Sequence, residues 1–136
     1  MKFTCSVNIN KPKKIVAKIF ADPNLLGEYQ DGFLKKEIVS GKPGEVGTIS
    51  KMYYKVGKGE MILKETVLKN NLPDLFFAEY YHKHTENTMQ SNFIEITENS
   101  TTYNAEIHYT AFKGVVVNMM KINYFMYMHW IKIKYN

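Results

Sequence analysis

The sequence predicts a single α+β domain over residues 1–136, with helices packed on one face of a curved antiparallel sheet. Three observations predict it. The hydrophobic period is two at the start, helical over the next twenty or so residues, two again through the middle, and helical at the end. Turn-forming residues punctuate the middle too closely for parallel crossovers, which need a dozen or more residues. The chain has 136 residues, 45% hydrophobic and 23% charged, which suffices for one core and excludes an intrinsically disordered polymer.

The elements follow in order. Residues 2–10, KFTCSVNIN, alternate with Phe3, Cys5, Val7 and Ile9 on one face, the pattern of a half-buried strand. Asn10 offers an N-cap and Pro12 suits a first helical turn. Ile15, Val16, Ile19 and Phe20 then make an apolar helical stripe opposite Lys13, Lys14 and Lys18. Asp22-Pro23 opens a second short helix to about Tyr29, and Asp31-Gly32 ends it. Six strands are expected over 33–41, 48–56, 60–69, 75–84, 89–97 and 102–112. Between them stand Pro43-Gly44, Gly57-Lys58-Gly59, Asn70-Asn71 with Pro73, Glu86-Asn87 and Asn99-Ser100, all read as turns. From Gly114 to the end the pattern is helical again.

Charge and cysteine usage narrow the function. The net charge is +5, yet all eighteen basic residues are lysines and they are scattered. Base and phosphate recognition rely on the arginine fork, so no nucleic-acid partner is expected. One cysteine, Cys5, precludes an intramolecular disulfide and fits a reducing compartment. The first ten residues do not read as a secretory signal. The apolar run 114–131 is broken by Asn118, Lys121, Asn123 and His129, so stable membrane insertion is not expected and the location is read as cytoplasmic. No cofactor is implied, since neither a dinucleotide fingerprint nor a P-loop is present. His82 and His84 share a strand face without a third ligand nearby, and no metal site is expected.

Three passages resemble the START-like, or SRPBCC, superfamily, which includes birch-pollen-type allergens, START lipid-transfer domains and polyketide cyclases. They are Ile9-Asn10-Lys11-Pro12 opening a helix that closes with Ala21-Asp22-Pro23-Asn24-Leu25, then Gly44-Glu45-Val46-Gly47-Thr48 followed one hairpin later by Glu65-Thr66-Val67, and finally Tyr109-Thr110-Ala111-Phe112-Lys113-Gly114. The resemblance implies a helix-grip fold: strand, two short helices, six-stranded meander, and a C-terminal helix packed across the curved sheet. It also implies a cavity between sheet and helix that takes a lipid, polyketide or aromatic metabolite. Residues 121–136, KINYFMYMHWIKIKYN, depart from the family pattern, with no acid and no Ala, Leu or Gly. That composition is expected either of a truncated or frameshifted end or of a divergent helix. Aromatic residues there that one subunit does not bury would favour a homodimer.

Strand alternation gives the side chains expected to face such a cavity: Met52, Tyr54, Met61, Leu63, Glu65, Val67, Tyr80, His82, Tyr103, Ile107 and Tyr109, with Met119 from the terminal helix. Mostly apolar walls with a few polar tips are the makeup of ligand pockets. Glu65 needs a partner, because an unpaired buried carboxylate is costly. A hydrogen bond from a neighbouring tyrosine is one expectation, and an acid–base pair with His82, as in a cyclase or dehydratase, is the other. Binding or carriage of a small hydrophobic molecule is the leading reading, with the enzyme and a protein–protein interaction module as alternatives.

Overall fold

The computed structural model describes residues 2–83 and 85–112. The elements run β1 (Lys2–Ile9), α1 (Lys13–Ala21), a 3-10 turn (Pro23–Leu25), α2 (Leu26–Tyr29), β2 (Phe33–Ser40), β3 (Ile49–Val56), β4 (Gly59–Asn71), β5 (Leu75–His82), β6 (Thr85–Thr97) and β7 (Ser100–Phe112). All strands join one antiparallel, curved, seven-stranded sheet in the order β1-β7-β6-β5-β4-β3-β2. This is the α+β architecture that the alternation predicts. The C-terminal helix, its atypical stretch 121–136, Met119 and His84 lie outside the described residues.

β1 and β2 are consecutive strands, yet they form opposite edges of the sheet. The segment between them, carrying α1 and α2, therefore has to cross the inner face, and its helices supply a second layer there. Val16 and Ala17 are its buried face on α1, while Ile15 is 43% exposed. The stripe is thus rotated by about one residue from the expected one, with Ala17 in place of Ile15 on the buried side. Pro12, rather than Asn10, stands at the N-cap, and its carbonyl accepts from the backbone of Ile15 and Val16. Asp22 caps the next turn as expected, its side chain accepting from Asn24 N at 2.9 Å. The Tyr29 hydroxyl donates back to the Phe20 carbonyl at 3.0 Å and so ties α2 to α1.

Gly32 turns the chain from α2 into β2 with φ +75°, and a Cβ there would stand 2.4 Å from the Lys55 carbonyl oxygen. Only glycine fits such a position. β4, β6 and β7 are longer than expected at their ends, β5 ends at His82, and one turn is misplaced. Glu86-Asn87 is not a turn: β6 begins at Thr85, paired with His82, and runs through both residues. The alternation there is hidden because the inward residues Thr85, Asn87 and Ser91 are polar although buried.

The core lies on the inner face. Ile9, Val16, Ala17, Leu26, Tyr29, Met52, Leu63, Phe93, Tyr103, Ala105 and Ile107 are all buried in it. Phe20, partly buried, packs against it, edge-on to Phe76 and Phe93 and tilted against Tyr103 at centroid distances of 5.2 to 5.9 Å. Lys13 pairs with Asp74 and anchors α1 to the β4–β5 turn.

Candidate functional site

The inner face is not uniformly covered. α1 packs on β6 and β7 and fills the face there. Over β3, β4 and β5 the helices leave a cavity of about 360 Å³. Its walls are Met52 and Tyr54 of β3, Met61, Leu63, Glu65 and Val67 of β4, and Tyr80 of β5. Phe20, Leu26 and Tyr29 close it from the helical side, with Leu72, Phe76 and Met89 beyond. Such walls are mostly apolar and polarisable, with few polar atoms.

Besides Gln30, Asp31, Thr48 and Asn70 in the lining, one row of polar groups crosses the sheet. Ser50, Glu65, Tyr80 and Asn87 are successive cross-strand partners in one row over β3, β4, β5 and β6. Glu65 is only 4% exposed. Its Oε1 accepts from Lys36 Nζ at 2.8 Å and its Oε2 from the Tyr80 hydroxyl at 2.8 Å. The buried carboxylate is thus neutralised and hydrogen-bonded, as an interior charge requires. Tyr54, nearby, donates to Gln30 Oε1 at 2.6 Å. Burial, reinforced by the Glu65 charge, pushes the Tyr80 phenol well above its ordinary value. Burial first, and Glu65 second, also raise Tyr54. Both phenols therefore remain proton donors throughout the neutral range.

Lys36 reaches this site because β2 is bulged. Phe33 pairs with Tyr54, but Lys35 pairs with Tyr53 and Lys36 with Met52, so Leu34 is an extra residue. Without it, Phe33, Lys35 and Glu37 would share a face. With it, Phe33, Lys36 and Ile38 turn inward, whereas Lys35 lies outside over the Tyr53 ring at 4.6 Å. Bulges commonly re-aim a side chain in this way.

Several candidates from the sequence stand elsewhere. Tyr103, 1% exposed, is hydrogen-bonded to Ser91 at 2.9 Å and borders only a void of about 10 Å³ beneath α1. Ile107 is buried core, and Tyr109 stacks on Phe3 at 5.9 Å, its phenol pushed up to about 12 by burial. These three share the inward face but do not line the cavity; Phe20 of α1 packs against Tyr103, and Phe3 of β1 against Tyr109. His82, half-buried at the end of β5, is not among the residues lining the cavity. The groups that hold Glu65 are Lys36 and Tyr80, so the expected tyrosine bond is present, and a lysine stands where the acid–base reading would have His82. Among the described residues no three His, Cys, Asp or Glu side chains converge on a metal position.

Sequence comparison adds nothing: no family model and no curated protein matches the chain. Solved structures do match. The chain superposes on the Zhui aromatase/cyclase from Streptomyces sp. R1128 with a TM-score of 0.81 at 8% identity, over 98% of this chain and 92% of that one. A START superfamily protein from Mycobacterium smegmatis gives a TM-score of 0.75 at 9% identity, with 96% and 92% covered. The fold is that of the START superfamily. Ginseng major latex-like protein 151 from Panax ginseng shares this START-like fold, with a TM-score of 0.73 at 14% identity over 100% and 97% of the two chains. At such identities the likeness extends to the START-like backbone and not to the side chains of the site.

Proposed function

We propose that this protein binds a small hydrophobic or amphipathic molecule in the cavity between the sheet and the α1–α2 segment, without transforming it. The observation that carries the reading is the cavity of about 360 Å³, whose walls are mostly apolar and carry one neutralised buried ion pair. That size is within the range of small-molecule sites. Met52, Tyr54, Met61, Leu63, Val67 and Tyr80 would contact the apolar body of the ligand, and Glu65 with Lys36 its polar end. Two features favour binding over acid–base catalysis: Glu65 is ion-paired with Lys36 and hydrogen-bonded by Tyr80 rather than coupled to a histidine, and His82 is absent from the lining. An interaction module would instead be expected to fill this space with its own side chains.

Native mass spectrometry of freshly expressed protein, followed by denaturing extraction, tests the reading. A retained lipid or aromatic metabolite is the expected result. A bare polypeptide mass, with no thermal shift against a panel of lipids and polyphenols, would overturn it.

A further inference from the structure

We infer that the cavity selects neutral apolar molecules bearing a hydroxyl group, and discriminates against carboxylates of the same shape. The inference rests on the binding reading above and concerns the charge of the ligand's polar end. Among the described lining residues Lys36 is the only cation, and it is already engaged. Its partner Glu65 has a side chain only 5% exposed, while that of Lys36 is 26% exposed. A ligand carboxylate entering here would have to share Lys36 with a buried acid that cannot retreat to water. Either the two anions would stand side by side, or Glu65 would lose its counter-charge inside the protein.

A hydroxyl meets no such conflict. Lys36 has three N–H donors and gives one to Glu65 Oε1, and each Glu65 oxygen has accepted one hydrogen bond. The pair therefore offers a donor and an acceptor side by side. An alcohol or phenol accepts from the ammonium and donates to the carboxylate, leaving the ion pair in place.

Matched probes test this at pH 7.5: dodecanol with dodecanoate for an aliphatic ligand, and 2-naphthol with 2-naphthoate for an aromatic one, each titrated by calorimetry. The hydroxyl compounds should bind at least about tenfold more tightly than their carboxylates, the ratio expected if anion entry forfeits even part of a buried ion pair. Whichever series binds more tightly tells whether the body of the natural ligand is aliphatic or aromatic. Glu65→Gln frees Lys36 and should raise carboxylate affinity, so the preference shrinks or inverts, a gain that misfolding cannot produce. Wild-type binding of a carboxylate as tight as that of the hydroxyl compound would overturn the inference while leaving the binding reading intact. So would a folded Glu65→Gln protein with an unchanged ratio. If that variant does not fold, the wild-type ratio decides alone. Binding of none of the probes overturns the binding reading, and this inference with it.

Discussion

Replacing Lys36 with methionine removes the counter-charge of Glu65 while keeping most of the stem's apolar contact. At the observed 2.8 Å and an effective dielectric of about 20, the direct attraction is about 6 kcal/mol. Desolvation of both groups offsets much of it, and the partial exposure of Lys36 screens more, so a net loss of about 2–3 kcal/mol is expected. Urea unfolding followed by circular dichroism should show this as a lower midpoint with an unchanged slope. The double substitution Lys36→Met with Glu65→Leu should recover most of the loss, since it leaves no buried charge uncompensated. The reasoning fails if the single variant unfolds within about 0.5 kcal/mol of wild type, or if the two substitutions prove additive, the mark of residues that do not interact.

Three further outcomes follow from the same structure. Tyr54, Tyr80 and Tyr109 all have raised pKa values, so above about pH 10 the unfolded tyrosines release their protons before the native ones and stability falls as pH rises; each contributes about 1.4 kcal/mol per pH unit until its own native value is passed, near 12 for Tyr109. Urea midpoints from pH 9 to 12 should show that decline, shallower in Tyr54→Phe, and a flat profile to pH 11.5 would contradict it. Gly32→Ala, with its positive φ and a backbone oxygen in the way, should cost about 2–3 kcal/mol, measurable as a lower thermal midpoint. Met61→Trp, at a half-buried cavity wall, should abolish ligand retention in native mass spectra with little change in the unfolding midpoint.

The legible part of the site is the part made by regular strands. Met52 and Tyr54, Met61 through Val67, and Tyr80 stand on stretches of strand with regular alternation, the β4 irregularity falling just after Val67, so a period of two is enough to place them. Lys36 escaped because the extra residue Leu34 reverses the parity of β2, and a lysine near the solvent edge reads as an ordinary surface charge. The broken alternation of FLKKEIVS was the available signal. Phe20 and Leu26 escaped for another reason: a helical stripe tells which side is apolar, not which part of the sheet it will cover. That same ignorance placed Tyr103, Ile107 and Tyr109 in the cavity. Their face was right, but the neighbours that fill the space come from distant chain segments.

The position of β1 beside β7 has a kinetic consequence. The pairs from β2 to β7 are neighbours in sequence and can zip up as hairpins, whereas Lys2 meets His108 only after nearly the whole described chain has been gathered. Closing so large a loop is entropically slow and is compensated only once the partner strand exists. The docking of β1 is therefore expected late in folding. The helical segment behind it is pinned at both sheet edges only by that event. A partly folded chain with β2–β7 in place would expose the Met- and tyrosine-rich inner face, and a ligand present during synthesis would meet its site before the roof is set. Substitutions at the β1–β7 seam, such as Val7→Ala, should accordingly speed unfolding more than they slow the early zipping of the meander.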